Sequence, residues 1–281
     1  MTATPDPSFI TTPPRDIDGW AAELSRHDLP VLEATALAID ELRGNEDTVD
    51  AQMVAGAVID DPLMTLKLLR HMTSRRSKRM DTDAETVTSA LVLLGIPPFF
   101  NAFQTLPTVE HRLAQHPDAQ EGLNAVLRRA HRAARFALGF AVHRMDHDAE
   151  VIHEAALLHD FSEMLLWVHA PALAFEVMRR TLAEPTRRSA GIQHSVLNVR
   201  LSDLQQTLMR AWRLPELLVR ISDDQVNPSP QVRNVQLAMR VARHSTSGWD
   251  NPALPDDLAE LCVLLNLGLP HVQQLLLELD A

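Results

Sequence analysis

Apolar residues recur along this chain at three- and four-residue steps and nowhere in sustained alternation, a pattern that predicts helices rather than strands. The first stretch, 1–17, is rich in Pro and Thr with little periodicity and reads as a disordered tail. From Val31 onward Leu32, Ala36, Ile39 and Leu42 share one stripe that ends near Gly44. A second helix covers about 50–59. Asp61-Pro62 then restarts the chain: Asp caps, Pro suits the first helical position, and Leu63, Leu66 and Leu69 open a third helix. Polar residues from Thr73 to Asp83 read as a loop, and the next helix, from about Glu85, stops at Gly95. Pro97-Pro98 opens a short apolar segment whose Phe99, Phe100 and Phe103 belong to the core. His116-Pro117-Asp118 precedes a long helix to about Arg144, followed by helices near 149–160, 163–169 and 171–183. Pro215, Pro230, Pro255 and Pro270 each open a helix in the last third. The predicted fold is all-α, a compact bundle in two lobes, 18–110 and 117–225, with C-terminal helices 226–281 packed on the second.

Composition agrees with this reading. Nine glycines and no tyrosine among 281 residues favour helices over sheets. A formal net charge of −11 argues against a broad nucleic-acid-binding surface, which needs excess Lys and Arg. The lone Cys262 sits in an apolar run and is expected to be a buried, reduced thiol. No apolar run is long enough to span a membrane and no signal-peptide pattern opens the chain, so the cytoplasm is the compartment implied.

Candidate chemistry gathers at Ala155-Ala156-Leu157-Leu158-His159-Asp160. Adjacent residues lie about 100° apart on a helix, so His and Asp reach one point together only at its end. His131, 28 positions upstream, borders an apolar arc and a basic one formed by Arg128, Arg132 and Arg135, where a phosphate could be received. The alternative is an interfacial helix with a solvated arginine face. His143 and His147 have a zinc-like spacing but lie among acids, which favours solvent exposure. The segment 74–79 concentrates Arg75, Arg76, Lys78 and Arg79 into a potential anion-binding loop, without the interleaved aromatics that stack bases.

A helical His followed about 28 residues later by Ala-Ala-Leu-Leu-His-Asp resembles the HD metal-dependent phosphohydrolase superfamily. The segment from Ile59-Asp60-Asp61-Pro62 to Arg70 narrows the resemblance to its HDOD branch, with Leu29-Pro30, Thr73-Ser74, Thr88 to Gly95 and Trp212-Arg213-Leu214-Pro215 in the same order. The resemblance implies an all-helical bacterial signal-transduction domain with a regulatory or protein-binding role. It departs from hydrolytic relatives where they carry a glycine and often a lysine. Here Phe161, Ser162 and Glu163 stand, and Asp223-Asp224 replaces a later His pair, while His194 resembles a family histidine.

The resulting expectation is a non-catalytic regulator with a remnant metal or ligand site at His131, His159 and Asp160, flanked by Arg128, Arg132 and Arg135. No cofactor is expected beyond a weakly held divalent metal. A signalling protein or a small nucleotide is the expected partner, rather than nucleic acid or membrane. The alternatives are a metal-dependent phosphohydrolase acting on nucleotides or cyclic dinucleotides, and a nucleic-acid-binding regulator using the 74–79 loop.

Overall fold

The computed structural model describes residues 9–74, 84–184, 186–223 and 229–280. Among them the secondary structure is helical, with no strand beyond a lone parallel bridge between Val31 and Thr108. The helices are α1 (Ile17–Arg26), α2 (Glu33–Arg43), α3 (Ala51–Val58), α4 (Pro62–Ser74), α5 (Val87–Leu94), α6 (Ile96–Ala102) and α7 (Val109–Arg112). Then follow α8 (Pro117–His143), α9 (Ala149–Leu157), α10 (Phe161–His169), α11 (Pro171–Ala183) and α12 (Ser189–Leu197). The chain continues through α13 (Leu201–Ala211), α14 (Glu216–Ile221), α15 (Pro230–His244), α16 (Leu254–Leu265) and α17 (Leu269–Asp280).

Local chemistry explains the boundaries. Asp61 accepts hydrogen bonds from the Leu63 and Met64 N–H groups at 2.9 and 3.0 Å, and so caps α4 as its Asp-Pro sequence predicts. Its other oxygen receives Leu32 N–H at 2.8 Å, tying the start of α2 to α4. Gly95 adopts φ +81°, open to glycine, and joins α5 to α6.

Helix α8 is the central element. It packs against α9, α10, α11, α15 and α17. Its buried face runs through Leu123, Val126, Ala130, Ala133, Ala137 and Phe140, of which the three alanines let neighbours approach closely. Asn234 of α15 donates to the buried Ala137 carbonyl at 3.1 Å. Buried apolar residues form one cluster running from Ile10 to Leu276. Phe99, Phe100 and Phe103 belong to it, and Cys262 is half-buried against it rather than enclosed.

Among the polar ties that join the first third of the chain to the rest, two are made by Trp212 and Glu154. Trp212 donates from Nε1 to Ser25 Oγ at 2.9 Å, and its carbonyl receives the Thr73 hydroxyl at 2.8 Å. Its ring lies under the Arg70 guanidinium and stacks on Phe161. The second tie is Glu154 of α9, which accepts from Val87 N–H at the start of α5 at 2.6 Å.

The structure corrects the sequence reading in several places. The supposed tail is packed from Phe9 onward: Ile10 N–H donates to the His169 carbonyl at 2.7 Å, and Phe9 sits edge-on to His116 beneath Arg112. Helix α1, capped by Asp16, precedes Val31 and lies against α13. The helix expected over 149–160 ends at Leu157, and its successor begins at Phe161. No single helix among the described residues is long and apolar enough to cross a membrane.

Candidate functional site

His159 and Asp160 occupy the tight turn between α9 and α10, the helix-end geometry that lets neighbours act together. His159 Nδ1 lies 3.1 Å from Asp160 Oδ1; beside an ionised carboxylate, this nitrogen carries the proton. Asp160 Oδ2 receives Arg129 through Nε at 2.9 Å and Nη2 at 2.7 Å. The same Nη2 reaches Glu163 Oε2 at 2.7 Å, so one guanidinium from α8 holds two acids from the start of α10. Arg243 of α15 stands farther off, 3.9 Å from Asp160 Oδ2.

Burial would push the Asp160 carboxyl up; the His159 hydrogen bond and the Arg129 charge overcome it and hold the group well below the carboxylate range. Burial likewise acts to lower Arg129, but its two acid partners raise it further above its ordinary value. Glu163 is raised, because burial and the neighbouring Asp160 outweigh its arginine contact. The cluster is thus an internally balanced charge group.

The donor set does not fit a metal centre. Both Asp160 oxygens are engaged, Oδ1 by His159 and Oδ2 by the Arg129 guanidinium. No three His, Cys, Asp or Glu side chains among the described residues are grouped to hold an ion. Structural and catalytic ions use three or more such ligands.

His131 is not brought to this group. It lies two positions beyond Arg129, about 200° around the helix, and its Nε2 donates instead to the Asp60 carbonyl at 2.6 Å. Arg128 pairs with Glu121 in solvent, and Arg135 is exposed. Arg132 is engaged by Asp280 and lies over Phe136 and Trp249, so it is committed to anchoring α17. His143 ends α8 and approaches the Leu265 carbonyl, while His147 lies beyond the helix, which removes the presumed four-residue register. His194 is exposed. Arg75, Arg76, Lys78 and Arg79 lie outside the described residues, as does Asp224.

The residues that depart from hydrolytic relatives have clear roles here. Phe161 is buried against Trp212, the Ser162 hydroxyl donates to the Leu201 carbonyl at 2.9 Å, and Glu163 takes Arg129. Arg129 itself escaped the sequence reading. The signal for it was Glu163, a second acid three residues after Asp160 with no cation of its own on α10.

The balanced cluster forms part of a cleft of about 530 Å³ bordered by α8, α10, α11, α12 and α13. Trp167 closes one wall: its ring lies so near Gly122 that a Cβ there would come within 2.5 Å of it. Met178 and Leu182 of α11 face the opening. Among the lining residues, Gln205 and Ser222 are buried, and neither Gln205 Oε1 nor Ser222 Oγ has a hydrogen-bond partner.

Residues 29–228 match the family model of the HDOD domain. Among solved structures, the MmoQ response regulator from Methylococcus capsulatus str. Bath is 19% identical, with a TM-score of 0.65 covering 89% of this chain and 98% of that one. A virulence factor from Campylobacter jejuni subsp. jejuni is 16% identical, with a TM-score of 0.65 covering 93% and 94% of the two chains. At these identities the likeness is one of fold. No curated protein matches the chain.

Proposed function

The chain belongs to the HDOD family, and from that premise we propose that it is a bacterial signal-transduction domain that binds a partner or ligand and performs no hydrolysis. One observation carries the proposal: Arg129 supplies the positive charge beside Asp160 that a metal-dependent hydrolase obtains from its ion. A metal-assisted hydrolase needs an ion with an open position for water. Here a divalent ion would have to displace a charge-assisted contact of two Arg129 nitrogens with Asp160 Oδ2. That one fold relative is a response regulator accords with a signalling role.

The test is elemental analysis of protein purified without chelators, together with a phosphoester panel that includes a cyclic dinucleotide. The expected result is no stoichiometric metal after Mn²⁺ addition and desalting, and no turnover. Bound metal at one equivalent, with hydrolysis abolished by His159→Ala, would overturn the proposal.

A further inference from the structure

We propose that the cleft beside Arg129 is a binding site for a small organic cation with an apolar body, whose protonated amine is received by Gln205, Ser222 and Asp223 while the body lies on Trp167. This rests on the preceding reading in one respect: Asp160 must already be balanced by Arg129, so that it neither holds a metal nor draws the ligand.

The volume comes first. About 530 Å³ falls within the range of sites for small molecules. The lining is mixed in polarity: Trp167, Val126, Val177 and Met178 are apolar, whereas Gln205, Ser222 and Asp223 are polar.

The second observation is the unpaired oxygens. Gln205 is 3% exposed and Ser222 5%, yet Gln205 Oε1 and Ser222 Oγ have no partner. Buried polar atoms are almost always hydrogen-bonded, because leaving water without a replacement bond is unfavourable. An amide oxygen accepts and cannot donate. The missing partner of Gln205 Oε1 is therefore an N–H or O–H donor.

Charge selects between donors. The lining contains the acids Asp160, Glu163, Asp203 and Asp223 against only Arg129 and Arg243. Arg129 is consumed by Asp160 and Glu163, and Arg210 approaches Asp223 at 3.3 Å from outside the lining. Asp203 and Asp223 stand outside the balanced Arg129 cluster, and beside them the acceptor oxygens of Gln205 and Ser222 favour a donor over another acceptor. The chain's net charge of −11 draws cations in the same sense. A phosphate or carboxylate would meet acceptors and like charge at the position where an ammonium meets partners.

Titration calorimetry of the full chain in EDTA tests this with three probes that share one body: 4-phenylbutylamine, 4-phenylbutanol and 4-phenylbutyrate. The amine should bind at least about tenfold tighter than the alcohol, as one charge-assisted hydrogen bond allows, and the acid should be weakest. Gln205→Leu should cut the amine's affinity by about tenfold. It should also leave the melting temperature of the unliganded protein unchanged or higher, since an unpaired acceptor has been removed. Ser222→Ala gives the same readout if the first variant folds poorly. No heat with the amine, equal affinity for all three heads, or undiminished amine binding in both variants would overturn the proposal. Such a failure leaves the non-catalytic reading standing, since the probes carry no phosphoester. Conversely, metal uptake or turnover would remove that reading in a separate experiment.

Discussion

Arg129 presents one guanidinium to two carboxylates that are themselves mostly shielded, its side chain being 19% exposed and that of Asp160 13%. Such a pair contributes less by its presence than its disruption takes away, because removing one partner leaves the other charge buried and uncompensated. Arg129→Ala is accordingly expected to lower unfolding free energy by roughly 3 kcal/mol, read from urea denaturation. Adding Asp160→Asn and Glu163→Gln to that variant should recover most of the loss. If the triple variant is no more stable than Arg129→Ala, packing of the arginine stem and not its charge is what holds α8 to α10. Arg129→Lys should fall between, since an ammonium cannot reproduce the two-nitrogen contact with Asp160.

At the scale of elements, Glu154 joins α9 to the first turn of α5 through a single buried acid whose Oε2 has no partner. Burial pushes this carboxyl up to about 8, against the pull of the Val87 N–H and with Glu150 adding to the rise. The folded protein therefore holds a proton that the unfolded chain, near 4.5, has released. Between those two values the native state binds more protons, so stability must fall as pH rises, by up to about 1.4 kcal/mol per unit. Below 4.5 the contribution is complete, and above 8 the loss levels off. Glu154→Gln should flatten that decline in denaturation curves taken from pH 4.5 to 8.5, while an unchanged slope would place the titration elsewhere.

The helices were mostly legible in the sequence because their punctuation is local. Asp61-Pro62, Gly95 and Pro117 act within one turn of themselves, and each marks its boundary as the pattern predicts. Helix α1 was hidden by its Pro-rich approach, although Asp16 is an ordinary cap. The site was legible only on one side. His159-Asp160 announces itself as a motif, but its partner depends on which face of α8 meets α10. Gly122, Ala125, Val126 and Arg129 share that face, at spacings of three, four and seven. Choosing His131 by residue type rather than by this register turns the helix by more than half a circle. Long-range pairs such as Arg132–Asp280 had no sequence signal at all, since 148 positions separate the two.

Across the whole molecule, the four tryptophans have distinct positions. Trp20 is fully enclosed with its Nε1 on the Leu197 carbonyl, Trp212 is pinned by Ser25, and Trp249 lies at the surface beside Arg132. Only Trp167 among them borders the cleft, with its ring pressed to the backbone at Gly122. The protein thus carries a native optical reporter at the place where a guest would sit. Occupancy by 4-phenylbutylamine should change the emission intensity of that indole through the new contact at its edge, an effect absent in Trp167→Phe. Because none of the other three indoles lines the cleft, the change can be followed in the unmodified protein, without attaching any dye.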